Sequence, residues 1–133
     1  MSKKNSELFL VLKEPWFSKI KRGQKKEEYR EIKSSYYDKF YDKREIKKLL
    51  KNFGHKKITS KSIHDFIECE LMKPKFDKFF FKFDTLHFVL GYTDRNDPKK
   101  HILLKNPKIE IRTGRPEWGA WPNLKYFVIT WDK

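Results

Sequence analysis

The sequence holds a single cysteine, Cys69, among 133 residues, so no intrachain disulfide is expected and a reducing compartment is permitted. Its four histidines, His55, His64, His87 and His101, are scattered without the spacing of a metal centre, and neither structural zinc nor another cofactor is expected. Long apolar runs are also missing. Residues 1–5 lead into the apolar run Leu8-Phe9-Leu10-Val11-Leu12, too short for the core of a signal peptide or for a membrane span. A cytoplasmic protein without a membrane partner is the expectation. No alternation of strand and helix repeats along the chain, which argues against a doubly wound parallel sheet.

What is present is aromatic residues, 17% of the chain, and lysine. The aromatics allow a small core to bury a large area, so one folded domain over residues 1–133 is expected although the mean hydropathy is -0.87. The formal net charge of +14 is uneven: residues 1–60 hold 18 Lys/Arg against 8 Asp/Glu, a net of +10, and residues 61–133 hold 14 against 10, a net of +4. Such an excess favours a polyanion, chiefly nucleic acid. A source rich in lysine is the competing explanation, since 26 of the 32 cations are lysine.

Leu8–Leu12 is apolar on both faces and fits a buried strand. Pro15 suits the first turn of a helix with Trp16, Phe17 and Ile20 on its apolar side, and Gly23 ends it. The next stretch, Gly23-Gln24-Lys25-Lys26-Glu27-Glu28-Tyr29-Arg30, is expected to enter a strand over Lys25–Ile32. On it Glu28 and Arg30 share one face, while Tyr29 and Glu31 share the other. Lys25 is out of phase with Glu28 for a regular strand and joins it only if the turn after Gly23 is still unwinding. A surface charge ladder of little energetic weight is the alternative.

From Ser34 to Phe53 the pattern is helical, but Tyr36, Tyr37, Phe40 and Tyr41 cluster opposite Ile46, Leu49, Leu50 and Phe53, which predicts two helices broken near Asp42. Ser35 with Asp38, and Asp42 with Glu45, read as capping boxes, and Gly54 as the second helix's end. That helix sets Lys43, Arg44, Lys47, Lys48 and Lys51 on one basic face, either solvated or tracking phosphates. Ile63, Phe66, Ile67 and Leu71 suit a third helix stopped before Pro74. Phe76, Phe79, Phe80, Phe81 and Phe83 read as a local core.

Thr85–Tyr92 alternates as a strand, with His87 on its surface or packed. Residues 93–100 form a loop. His101–Lys105 and Lys108–Arg112 are expected as strands broken by Pro107, and Leu124–Trp131 as a buried closing strand. Strands at both ends with helices between them predict an α+β fold with a curled or barrel-like sheet.

Several of these residues carry a family resemblance. Gly23-x-Lys25-x-x-Glu28-x-Arg30 within residues 8–30, Phe83-Asp84-Thr85-Leu86-His87-Phe88 with Gly91-Tyr92, and Trp118-Gly119-Ala120 followed by Tyr126-Phe127-Val128-Ile129 together resemble the ASCH (activating signal cointegrator homology) domain. The likeness covers roughly residues 8–37 and 83–130 and leaves about 38–82 as a helical, aromatic insertion. It implies a PUA-like β-barrel with flanking helices and an RNA-associated cleft in which Lys25, Glu28 and Arg30 meet a nucleotide or base. Some ASCH proteins deacylate acetylated cytidine with a lysine, a threonine and a distant glutamate. Here Lys25 stands at the lysine position, Glu28 replaces the threonine, and no residue is matched to the distant glutamate. Glu27 stands where an apolar residue is common, and its charge needs solvent or a cationic neighbour.

The expectation is a module binding RNA, single-stranded in form, or a nucleotide, with Tyr29, Tyr92 or Trp118 stacking on a base. Each of these aromatics can equally be core. A small nucleoside amidohydrolase or ribonuclease would use Glu28 as acid or base beside Lys25, with Arg30 stabilising an oxyanion. A protein-interaction module would show an apolar patch from the phenylalanine-rich stretch.

Overall fold

A computed structural model describes residues 6–71, 79–91 and 96–132. The chain divides into two compact units, Met1–Tyr29 with Lys82–Lys133, and Arg30–Phe81. The fold is α+β, with a five-stranded mixed sheet and four α-helices among the described residues.

In the first unit, strand β1 (Glu7–Leu12) buries Leu8, Leu10 and Leu12, while Phe9 and Val11 keep partial exposure. The expected burial of both faces is thus realised on one. After β1 comes helix α1 (Trp16–Lys21), with Pro15 one position before its first helical residue. Phe17 and Ile20 are its buried residues, the 3.6-residue spacing placing them on one side. Strand β2 (Glu28–Arg30) is shorter than the expected Lys25–Ile32, and its last residue belongs to the second unit.

Strands β3 (Thr85–Leu90), β4 (His101–Thr113) and β5 (Lys125–Asp132) complete the sheet in the order β1-β3-β4-β5-β2. β1 runs parallel to β3, with Leu8 beside Leu86 and Leu10 beside Phe88. β3 and β4 are antiparallel, as are β4 and β5, where Ile109 faces Ile129 and Ile111 faces Phe127. The expected alternation holds for Leu86 and Phe88, which are buried, but Val89 on the opposite face is buried too. The sheet is not closed among the described residues.

Pro107 does not divide β4. The strand runs through it with a register shift between Lys105 and Lys108 and with Asn106 at φ 53°. A bulge leaves one residue outside the ladder, which removes the penalty for proline's missing N–H. Asn106 N donates to the Asp84 carbonyl and its side-chain amide to Asp132, at 3.0 and 2.9 Å, so the irregular residue is tied on both sides.

The second unit holds α2 (Ser34–Phe40), α3 (Lys43–Asn52) and α4 (Ser60–Glu70). The break at Asp42 is present, but the expected box with Glu45 is not formed: the Asp42 carboxylate accepts from Arg44 N at 3.1 Å, and Asp42 N donates to the Phe79 carbonyl at 2.7 Å. The expected box at Ser35 is also absent: the N-cap is Lys33, two residues earlier, with no side-chain cap. Gly54, at φ 93°, ends α3, where His55 N donates to the Leu50 carbonyl, as in a Schellman turn. Ile46, Leu50, Ile63 and Ile67 are buried with Phe79 and Phe80. Phe80 stacks on Tyr41 at 4.6 Å, and Phe79 meets Phe66 edge-on at 5.6 Å, so these two phenylalanines serve a core. Phe76 lies outside the described residues. No helix among the described residues is long and apolar enough to cross a membrane.

Candidate functional site

The site in the first unit begins at the exit of α1. Gly23 takes φ 77°, a conformation that costs glycine nothing and other residues about 1 kcal/mol or more. Gly23 N then donates to the Ile20 carbonyl at 3.0 Å and Gln24 N to the Lys19 carbonyl at 2.8 Å, the two bonds of a Schellman turn. Lys25 N also donates to Lys19, at 3.1 Å. The chain is therefore still wound against the helix end at Lys25.

This geometry lets Lys25 and Glu28 meet despite their three-residue separation. The Lys25 Nζ donates to Glu28 Oε1 at 2.9 Å, and the residues are only 2% and 6% exposed. Two aromatic rings face the ammonium, Trp16 at 4.5 Å and Tyr29 at 5.4 Å from their centroids. Both separations fall within the range of cation–π attraction, which strengthens as water is excluded. Burying an ion pair costs several kcal/mol per ion before the mutual attraction is counted. A surface charge ladder does not describe this pair.

Residues distant in sequence hold the aromatic walls. A Cβ added to Gly119, at φ 102°, would lie 2.9 Å from Trp16 Cζ2, and one at Gly114 would lie 2.5 Å from Tyr29 Cε1. Both glycines let backbone approach a ring closely. Trp118 Nε1 donates to the Gln24 carbonyl at 3.0 Å, tying the turn Pro116–Trp118 to the α1 exit. The Arg115 guanidinium lies 4.9 Å from the Trp118 ring.

Tyr29 packs against the buried residues Ala120, Tyr126 and Val128. Its hydroxyl donates to Glu27 Oε1 at 2.6 Å and accepts from Arg115 N at 3.0 Å. Burial, and then the bond to the Glu27 carboxylate, push the Tyr29 phenol well above its ordinary range, so it stays protonated. Glu27 has the cationic neighbour that its charge demands. Arg112 Nη2 donates to Oε2 at 2.7 Å and Nη1 to Oε1 at 3.3 Å. Burial pushes the Glu27 carboxyl up, but the hydrogen bonds from Arg112 and Tyr29 and the positive charges of Arg112 and Arg115 outweigh it and hold it below the ordinary range.

Lys25, Glu28 and Tyr29 come together, and Trp118 joins them at the α1 exit through Gln24. Arg30 belongs to the second unit, where its Nη1 donates to the Tyr36 hydroxyl at 3.1 Å. Tyr92 lies outside the described residues. On α3, Lys43 pairs with Asp38, Arg44 with Asp42 and Lys48 with Glu45, at 3.4 to 3.5 Å, while Lys47 and Lys51 are exposed. Sequence reading missed Trp16 as a wall, because its helical spacing marks it only as apolar. It also missed Gly114 and Arg112, whose partners lie far away in the chain.

His87 bridges Glu7 and His101, with Nδ1 3.0 Å from Glu7 Oε2 and Nε2 2.7 Å from His101 Nδ1. It packs edge-on against Phe9. Among the described residues no group of three His, Cys, Asp or Glu could hold a metal ion.

Compared with protein-family models, curated proteins and solved structures, the chain matches none.

Proposed function

We propose that this chain is an RNA- or nucleotide-binding module of the ASCH type, in which the surroundings of Lys25 and Glu28 recognise one nucleotide. The observation that carries the reading is the buried Lys25–Glu28 pair facing the Trp16 and Tyr29 rings. Replacing a buried ion pair by apolar residues is often neutral or stabilising, so fold stability alone gives little reason to keep one. A carboxylate and an ammonium beside aromatic rings match what a base offers: an exocyclic amine that donates to Glu28, ring or carbonyl acceptors for Lys25, and a π-face for stacking. In this reading the open sheet of the first unit corresponds to a PUA-like barrel, residues 38–82 are an insertion, and Lys43, Arg44, Lys47, Lys48 and Lys51 track phosphates. The protein acts in the cytoplasm.

The net +10 of residues 1–60 sets the form of the test. Binding to single-stranded RNA is expected to fall by orders of magnitude between about 50 and 200 mM salt as lysines neutralise several phosphates. Co-purified nucleic acid or nucleoside, identified after release, names the ligand. Absence of both salt-sensitive RNA binding and any bound nucleotide overturns the proposal.

A further inference from the structure

Phe53 is 71% exposed, and among the described residues of the second unit no other large hydrophobic side chain is exposed. It caps the C-terminal end of α3, and the exposed cations Lys47, Lys51, Lys56 and Lys57 surround it in sequence. Gly54 turns the chain back through the bond from His55 N to the Leu50 carbonyl, so Lys56 and Lys57 leave from the helix end that carries Phe53. Folding does not account for this arrangement. Phe53 gains little from burial, and Lys47 and Lys51, at i and i+4, repel one another by a few tenths of a kcal/mol. Lys51 in the last turn is favoured by the helix dipole, which leaves Lys47, Lys56 and Lys57 unexplained.

We infer that Phe53 and the cations around it form a second contact for single-stranded RNA, the phenyl ring stacking on an unpaired base while Lys47, Lys51, Lys56 and Lys57 engage the adjacent phosphates. An aromatic ring set among positive charges is the arrangement by which proteins hold single strands without reading their sequence. An anionic membrane is disfavoured by the same helix, because Ile46 and Leu50 are turned into the unit's own core and one phenyl ring is a small area for interfacial anchoring. The inference rests on the proposed function for the class of partner and shares Lys47 and Lys51 with its phosphate-tracking face, but its base contact, Phe53, lies in a different unit from the Lys25–Glu28 pair.

The test uses the full chain, a labelled uridine oligomer of about twelve nucleotides and a duplex RNA of similar length at low salt. Phe53→Ala and Phe53→Leu should each weaken the single strand about ten-fold, Phe53→Trp should retain it, and the duplex should change by less than about two-fold. Equal binding by wild type and Phe53→Ala, full retention in Phe53→Leu, or an equal loss on the duplex overturns the inference. So does binding to phosphatidylserine vesicles that needs Phe53 when oligomer binding does not. Titration with cytidine 5′-monophosphate separates the two readings. Mononucleotide binding lost in Lys25→Met but kept in Phe53→Ala supports separate contacts. A chain that binds no mononucleotide yet shows the Phe53 pattern overturns the Lys25–Glu28 reading and leaves this inference standing.

Discussion

The Lys25 ammonium reaches Glu28 Oε1 at 2.9 Å across a three-residue separation, and the side chains are only 2% and 8% exposed. The two charges are held where water does not screen them, so their interdependence is measurable. Lys25→Met removes the ammonium while leaving the Glu28 carboxylate buried, and is expected to cost about 3 kcal/mol or more of stability. Adding Glu28→Leu should recover much of that loss, a non-additivity diagnostic of direct coupling. Urea unfolding of the two single variants and the double variant reads this directly. A Lys25→Met variant within about 0.5 kcal/mol of wild type would show that the pair is not coupled as described.

Glu28→Gln distinguishes binding from catalysis. The amide keeps the shape and one acceptor, so nucleotide affinity should change by no more than a charged hydrogen bond, about 1.5 to 3 kcal/mol. If the site only binds, as proposed, neither acylated cytidines nor short RNAs should be turned over by the wild type. Wild-type turnover that Glu28→Gln slows by about two to four orders of magnitude, with binding intact, would make the site catalytic.

Gly119→Ala tests the wall behind Trp16. The new methyl would lie 2.9 Å from Trp16 Cζ2 on a residue at φ 102°, so steric and backbone strain add. A loss of about 1 to 3 kcal/mol is expected, with a shift in tryptophan emission. A thermal midpoint unchanged from wild type would mean that the indole is not held against this backbone.

Acidification should act through Glu27. Its carboxyl titrates below the ordinary glutamate range in the fold, where hydrogen bonds and positive charge outweigh burial. A depressed native value means that the unfolded chain takes up the proton first. The contribution is therefore full above the ordinary glutamate range and is lost as pH falls through the native value. Glu27→Gln should lower stability at neutral pH and flatten its decline from about pH 5 downward. Unfolding curves collected at both ends of that window check the sign. An equally steep decline in the variant would assign the acid sensitivity to other groups.

Some of this architecture was legible from local sequence. Gly23 and Gly54 end their helices as expected because a left-handed residue at the C-terminus is a property of a few consecutive dihedrals. The change of helical face at Asp42 is similarly local, since two apolar stripes on opposite sides cannot face one core. Pro107 was misleading for the converse reason. Proline forbids a ladder bond but not a bulge, and pairing with β5 on either side keeps β4 one strand.

The sequence by itself determined an α+β chain, a helix exit at Gly23 just ahead of a lysine and a glutamate, and the excess of positive charge. Only the tertiary structure decided that this lysine and glutamate are buried as a pair and that Trp16 faces the ammonium. It also decided that Arg112 balances Glu27 from 85 residues away and that Trp118 reaches Gln24 from 94 residues away. Helix and turn patterns are written in neighbouring dihedrals and side-chain periodicity. Burial and charge pairing depend on which distant segments arrive at the same place, and no local window contains that information.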